Sequence, residues 1–154
     1  MKIGSRVFEK PNEHIVVIPR QDGNVAFSCR AVLDFSEFDD LVPTPEPPFI
    51  TKAGEEPRKD FTDEKFLDRT KKHSEKRFAW MFLKSVESTE DLQWDTVDMA
   101  DSDTWVNYEA ELRMCYFTEV EINLITRGVL IANSLDEAML EEARSSFLAS
   151  REVV

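Results

Sequence analysis

Glycine is scarce in this chain, four residues and none beside another, so no glycine-rich loop is available to wrap backbone amides around a phosphate. Histidine and cysteine are scarcer still, two of each. His14 falls in an expected strand and His73 on the charged, solvated surface of an expected helix, so the two do not form a metal or acid–base pair. Cys29 and Cys115 lie far apart with no CxxC or His-rich spacing around either. They are expected to be buried free thiols in a reducing compartment, with a disulfide between them as the alternative. No G-x-S-x-G elbow is present. No run approaches the roughly 18 to 20 apolar residues that span a bilayer, and Met1 to Lys10 lacks the apolar centre of a secretory signal. The chain is therefore expected to stay in the compartment where it is made. Asp95, Asp98, Asp101 and Asp103 are the densest acidic cluster, and carboxylate oxygens can hold Ca²⁺ or Mg²⁺. The cluster lacks the glycine and terminal glutamate of a calcium loop, and Asp101 is better used as a helix cap. The expectation is a protein with no catalytic residue, cofactor or metal site.

What is abundant is acid. Across 154 residues the net charge is −12, from 31 acids and 19 bases. Residues 1–33 hold five bases against three acids, and residues 61–88 seven against five. Residues 34–60 hold three against eight, and residues 89–154 only four against fifteen. A surface of this sign repels phosphate backbones and anionic headgroups, so neither nucleic acid nor membrane is expected as a partner.

The hydropathy pattern reads as an α+β chain: an N-terminal β-hairpin or small antiparallel sheet, then a mainly α-helical region of about four to five helices. His14 to Ile18 is β-branched and apolar, Asp22-Gly23 is a hairpin turn, and Val25 to Leu33 alternates like a half-buried strand. Ile3 to Phe8 offers an edge strand. Phe35, Phe38 and Leu41 share one face of a short helix capped by Asp34 or Ser36. Five prolines between Val42 and Asp60 make that stretch an exposed arm, partly polyproline II. From a cap at Asp60 or Thr62, a helix runs to about Val86, mixed-charge at first and then almost wholly apolar from Phe78 to Leu83, which places its second half in the core.

Leu92, Trp94, Val97 and Met99 alternate in a way that allows a short strand. Trp105, Tyr108, Leu112 and Cys115 then stripe a helix. Thr118 and Glu121 have the spacing of a capping box with Phe117 and Ile122 as its staple, and Ser134 with Glu137 offers a second box before a helix from Leu135 to Ala149. The organisation is 1–41 for hairpin and short helix, 42–60 for the arm and 61–154 for the helical region, together one compact domain.

Two features are candidates for binding another protein. In the arm, Phe49 and Ile50 are apolar residues among prolines, suited to a neighbouring subunit or groove, or else folded back on their own domain. In the last helix, Leu135, Met139, Phe147 and Leu148 form an apolar set with Glu141 and Glu142 outside it. The ordinary expectation is that this set faces the core; if the helix is loosely docked, it is free to cover a partner's hydrophobic helix.

The segments Val17-Ile18-Pro19-Arg20, Ala31 to Leu41, Pro43-Thr44-Pro45-Glu46-Pro47-Pro48, Glu75 to Ser85, Trp94-Asp95-Thr96-Val97, Thr104-Trp105, Phe117 to Asn123 and Ala132 to Ala138 follow one another in an order that resembles the tail assembly chaperones of long-tailed phages. The resemblance implies a non-catalytic protein of the host cell cytoplasm. It would bind the helical, hydrophobic tape measure protein and help tail tube protein assemble around it. It also implies self-association as an option, and a family often made in two lengths by ribosomal frameshifting. It transfers no binding residue. Two other classes fit the same composition: a structural component of the phage particle, and an acidic DNA mimic that inhibits a host protein.

Overall fold

A computed structural model describes residues 1–152. Its centre is the antiparallel pair β3 (Glu13–Ile18) and β4 (Val25–Arg30), registered from Glu13 opposite Arg30 to Ile18 opposite Val25. The alternation read in the sequence decides the faces: Val16, Ile18, Phe27 and Cys29 are buried, whereas Ile15 and Val17 point outward. Ahead of it, β1 (Lys2–Ile3) and β2 (Arg6–Val7) form a separate hairpin turning at Gly4 (φ 60°), so Ile3 to Phe8 does not extend the main pair as an edge strand.

The second strand stops at Arg30, short of Leu33. Beyond it the Val32 amide donates to Asn133 Oδ1 (2.8 Å) rather than to a ladder, and Leu33 is exposed. The outer edge of β4 is closed by side chains: Ser28 N–H donates to Thr89 Oγ1 (3.0 Å) and Arg30 C=O accepts from Ser85 Oγ (2.7 Å). Such capping removes an open edge that would pair with another chain.

Asp34 accepts from the Ser36 amide (2.9 Å) in a local turn, but α1 (Ser36–Leu41) starts from Phe35 with no side-chain cap, so neither Asp34 nor Ser36 caps it as expected; the helix inserts Phe38 into the core. Val42 is buried too, so the exposed arm begins after it and not at it. Within the arm, β5 (Phe49–Ile50) pairs with β6 (Arg58–Lys59) as a short hairpin, and the Arg69 guanidinium donates to Glu46 C=O (3.2 Å).

Helix α2 (Glu64–Val86) is capped by Asp63, whose carboxylate accepts from Phe66 N–H (2.9 Å). Asp60 and Thr62, the caps expected from the sequence, are engaged with each other instead. The helix divides as its composition requires: every residue from Ala79 to Val86 except Lys84 is buried, and the charged first half faces solvent. His73 departs from expectation. It is half-buried with its ring edge-on to Phe38 (5.3 Å), and its Nε2 has no hydrogen-bond partner.

No strand forms between Ser88 and Asp101. The amides that would have extended a ladder go to side chains: Asp95 and Thr96 donate to the Glu111 carboxylate, and Asp98 to Thr104 Oγ1 (2.9 Å). Leu92, Trp94, Val97 and Met99 still pack against the core from this loop. Asp101 accepts from Asp103 N–H and starts a 3-10 turn (Ser102–Asn107) that leads into α3 (Tyr108–Met114). Trp105, Tyr108 and Leu112 are buried, while Cys115, just past the helix, is exposed.

The capping box is present in full: Glu121 N–H donates to Thr118 Oγ1 (3.1 Å) and Thr118 N–H to Glu121 Oε1 (3.0 Å), opening α4 (Glu119–Ala132). Helix α4 lies along β3 and α2 along β4, so Ile122, Ile125 and Val129 close the core over the hairpin. The last helix, α5, spans Glu137–Glu152. No described helix is long and apolar enough to cross a membrane.

The two thiols therefore differ, against the expectation that both are buried. Cys29 is fully enclosed, and that burial, together with the charge of Glu13, raises its thiol to about 11. Reaction of the native protein with a water-soluble thiol reagent is expected to label one cysteine per chain, at Cys115. Cys29 should label only when denaturant is added; labelling of both at equal rates in buffer would contradict the enclosure of Cys29.

Candidate functional site

The second capping box does not form. Ser134 adopts φ 57°, and its N–H donates to Ile131 C=O (3.1 Å) while Leu135 N–H donates to Leu130 C=O (2.8 Å), the paired bonds that terminate a helix at a left-handed residue. Asp136 then caps α5, accepting from Met139 N–H (2.9 Å). Leu135 consequently lies in the elbow between the helices and not on the last helix.

This elbow is anchored from several sides. Asn133 Nδ2 donates to Val129 C=O (2.7 Å) and its Oδ1 holds the Val32 amide, so one side chain ties α4 to the exit of β4. Asn12 Nδ2 donates to Ala132 C=O (3.1 Å) from the approach to β3. On the far side, Arg127 Nε reaches Asp136 Oδ2 (3.3 Å) across the bend. The cap and this ion pair hold the Asp136 carboxyl below the usual carboxylate range: the Met139 amide lowers it most, partial burial opposes, and Arg127 adds to the lowering.

What the elbow presents is a helix that covers nothing. Among the described residues, α5 buries no side chain, and no other element packs extensively along it. The core-facing arrangement expected from the sequence is thus overturned. Positions on a helix advance by about 100° per residue, which places Met139, Leu140, Ala143 and Phe147 within one apolar stripe. Leu140 and Ala143 were missing from the sequence reading, although their spacing to Phe147 carried the signal. Leu148 falls on another side, between Glu137 and Glu141, and Glu142 lies on the far flank of the stripe. All of these are exposed, Phe147 at 59% and Met139 at 50%.

The arm carries the other sequence candidates. Phe49 is 65% exposed and Ile50 half-buried, and neither joins α5 in a common surface. A further exposed apolar set, Tyr116, Val120 and Leu124, lies at the start of α4 and along its outer face.

A cleft of about 750 Å³ borders β4 and the loop after α2, lined by Glu13, Ser28, Thr89, Trp94, Glu111 and Phe117 among others. Two of its carboxylates, Glu13 and Glu111, are engaged in structure. Glu13 accepts from Ser28 Oγ (3.0 Å) and pairs with Arg30, and these bonds hold its carboxyl below the usual range. Glu111 spends both oxygens on the Asp95 and Thr96 amides and the Thr96 hydroxyl. Of the acidic cluster, Asp98 accepts from Ala100 N–H, Asp101 caps the 3-10 turn and Asp103 pairs with Lys76 at 2.8 Å. Among the described residues no group of three or more histidine, cysteine or acidic side chains is arranged to hold a metal ion. No family model matches the chain, and neither a curated protein nor a solved structure does.

Proposed function

We propose that this chain is a non-catalytic binding protein, a tail assembly chaperone that acts in the host cell cytoplasm to hold a tape measure protein soluble until tail tube protein assembles around it. The observation that carries the reading is α5, a sixteen-residue amphipathic helix whose apolar stripe is uncovered. An exposed stripe of this kind is suited to a long helical client with apolar stripes of its own, through helix–helix packing that removes both surfaces from water. The excess acid of residues 89–154 supports the same reading, since a client coated by such a surface acquires charge that opposes aggregation.

Co-expression with the tape measure protein of the same phage tests it. The client is expected in the soluble fraction with the wild-type chain and largely in the pellet with F147E, which places a charge on the stripe without touching the core. A client equally insoluble with and without the wild-type chain refutes the proposal. The exposed Phe49 hairpin favours a second reading, a particle component reaching a neighbour through its arm. Mass spectrometry of purified particles separates the two, because an assembly factor leaves and a component stays.

A further inference from the structure

The uncovered stripe of α5 has an internal symmetry. Its inward positions Leu140, Ala143, Phe147 and Ser150 follow the three-four-three spacing of a short coiled-coil seam. They run large, small, large, small, so a second copy laid antiparallel sets each large residue against a small one: Phe147 meets Ala143 of the other copy, and Leu140 meets Ser150. Parallel alignment instead stacks Phe147 on Phe147 and leaves a void where two alanines face each other, a poorer fill of the same seam.

Charge selects the same orientation. The residues flanking the seam on one side are Glu137, Arg144 and Arg151, the first and last at opposite ends of the helix. Antiparallel alignment brings Glu137 of each copy to Arg151 of the other, giving two equivalent ion pairs, and opposes the two helix dipoles favourably. Arg144 meets its own symmetry mate at the centre, with Glu141 one turn away on each copy to offset the like charge. Parallel alignment sets the arginines against Met139 and Ser146 and forms no ion pair. The partner that fits this face is therefore another α5.

We infer that α5 is a self-recognition element that joins two copies of this chain as an antiparallel, two-fold helix pair. The anchored elbow at Asn133–Asp136 supports this, because a helix held clear of its own domain loses little further freedom when a second one docks. The contact is isologous and closes at two copies. A seam of four positions makes it a weak, concentration-dependent dimer. The inference rests on the helix alone; because the pairing covers the stripe assigned above to the client, a second copy and a client exclude each other there.

Sedimentation equilibrium of the full chain without client is the test. The wild type is expected to show a monomer–dimer equilibrium, and F147E a monomer. R151E should weaken dimerisation about tenfold, since it turns two attractive contacts repulsive. The double variant E137R/R151E, which exchanges the charges, should restore it. These side chains are exposed, so unchanged circular dichroism certifies that each variant is folded. A monomer at all concentrations up to about 1 mM overturns the inference. So does a dimer indifferent to F147E and R151E, a double variant that stays monomeric, or association that continues beyond two copies. A chain that dimerises as described but solubilises no client refutes the proposed function and leaves this pairing intact.

Discussion

Gly128→Val is expected to lower the unfolding free energy by about 3 kcal/mol, although the substitution adds apolar surface to a buried site. Gly128 sits in the middle of α4, where glycine ordinarily costs about 1 kcal/mol relative to alanine. The reason for it is the neighbour. A β-carbon here would overlap Val16 Cγ2 of β3 and lie 3.2 Å from Cys29 Sγ and 3.4 Å from His14 Cδ2. Val16 is β-branched and held by the sheet, so its methyl has no free rotamer into which to retreat. Either α4 or the hairpin must move, and both belong to the core. Gly128→Ala should fall between, destabilising by about 1–2 kcal/mol once its gain in helix propensity is counted. Adding Val16→Ala to Gly128→Ala should recover part of the loss, a coupling expected only of residues in contact. Denaturant titration of wild type, Gly128→Val, Gly128→Ala, Val16→Ala and the double alanine variant measures both effects; Gly128→Ala as stable as wild type would show that the hairpin and helix can separate at little cost.

Glu111 should give the other large effect. It is only 7% exposed, and its carboxylate accepts from the Thr96 amide (3.0 Å), the Thr96 hydroxyl (2.6 Å) and the Asp95 amide. Truncation to alanine leaves these donors unpaired beneath the loop that seats Trp94, and about 3 kcal/mol of stability is expected to be lost. A glutamine side chain would keep the shape but offers a single acceptor atom, so E111Q should lose about 2 kcal/mol. Burial by itself raises the Glu111 carboxyl, and the hydrogen bonds from Asp95 and Thr96 outweigh it, so the net displacement is downward from 4.5. A carboxyl lowered in the folded state adds stability above its unfolded value and loses it as pH falls through the folded one. The difference between wild type and E111Q is therefore expected to be constant near neutrality and to shrink below pH 4.5. A difference that grows on acidification would contradict the assignment of Glu111 as an ionised acceptor.

These residues mark where local pattern stops being informative. The β3–β4 hairpin, the division of α2 into wet and dry halves and the Thr118–Glu121 box depend on neighbours within a few positions, so period and capping chemistry reveal them. Segment 88–101 misleads because its alternating Leu92, Trp94, Val97 and Met99 do face inward, yet its amides are claimed by Glu111 and Thr104 rather than by another strand. Gly128 reads as a weak point in a helix until Val16 is seen beneath it. Leu135 reads as the first residue of a helix until Ser134 turns left-handed and Asp136 takes the cap.

The same distinction governs the candidate site. The order of residues in the last helix is enough to make it amphipathic and acidic, because periodicity and charge are properties of its own residues. It could not determine what that helix covers, since burial of an apolar stripe is settled by where the rest of the chain has already packed. The hairpin, α1, α2, the 3-10 turn, α3 and α4 fill the core among themselves, and the elbow anchored by Asn133, Asn12 and Arg127 carries α5 clear of it. Tertiary structure alone made the stripe of Met139, Leu140, Ala143 and Phe147 a surface.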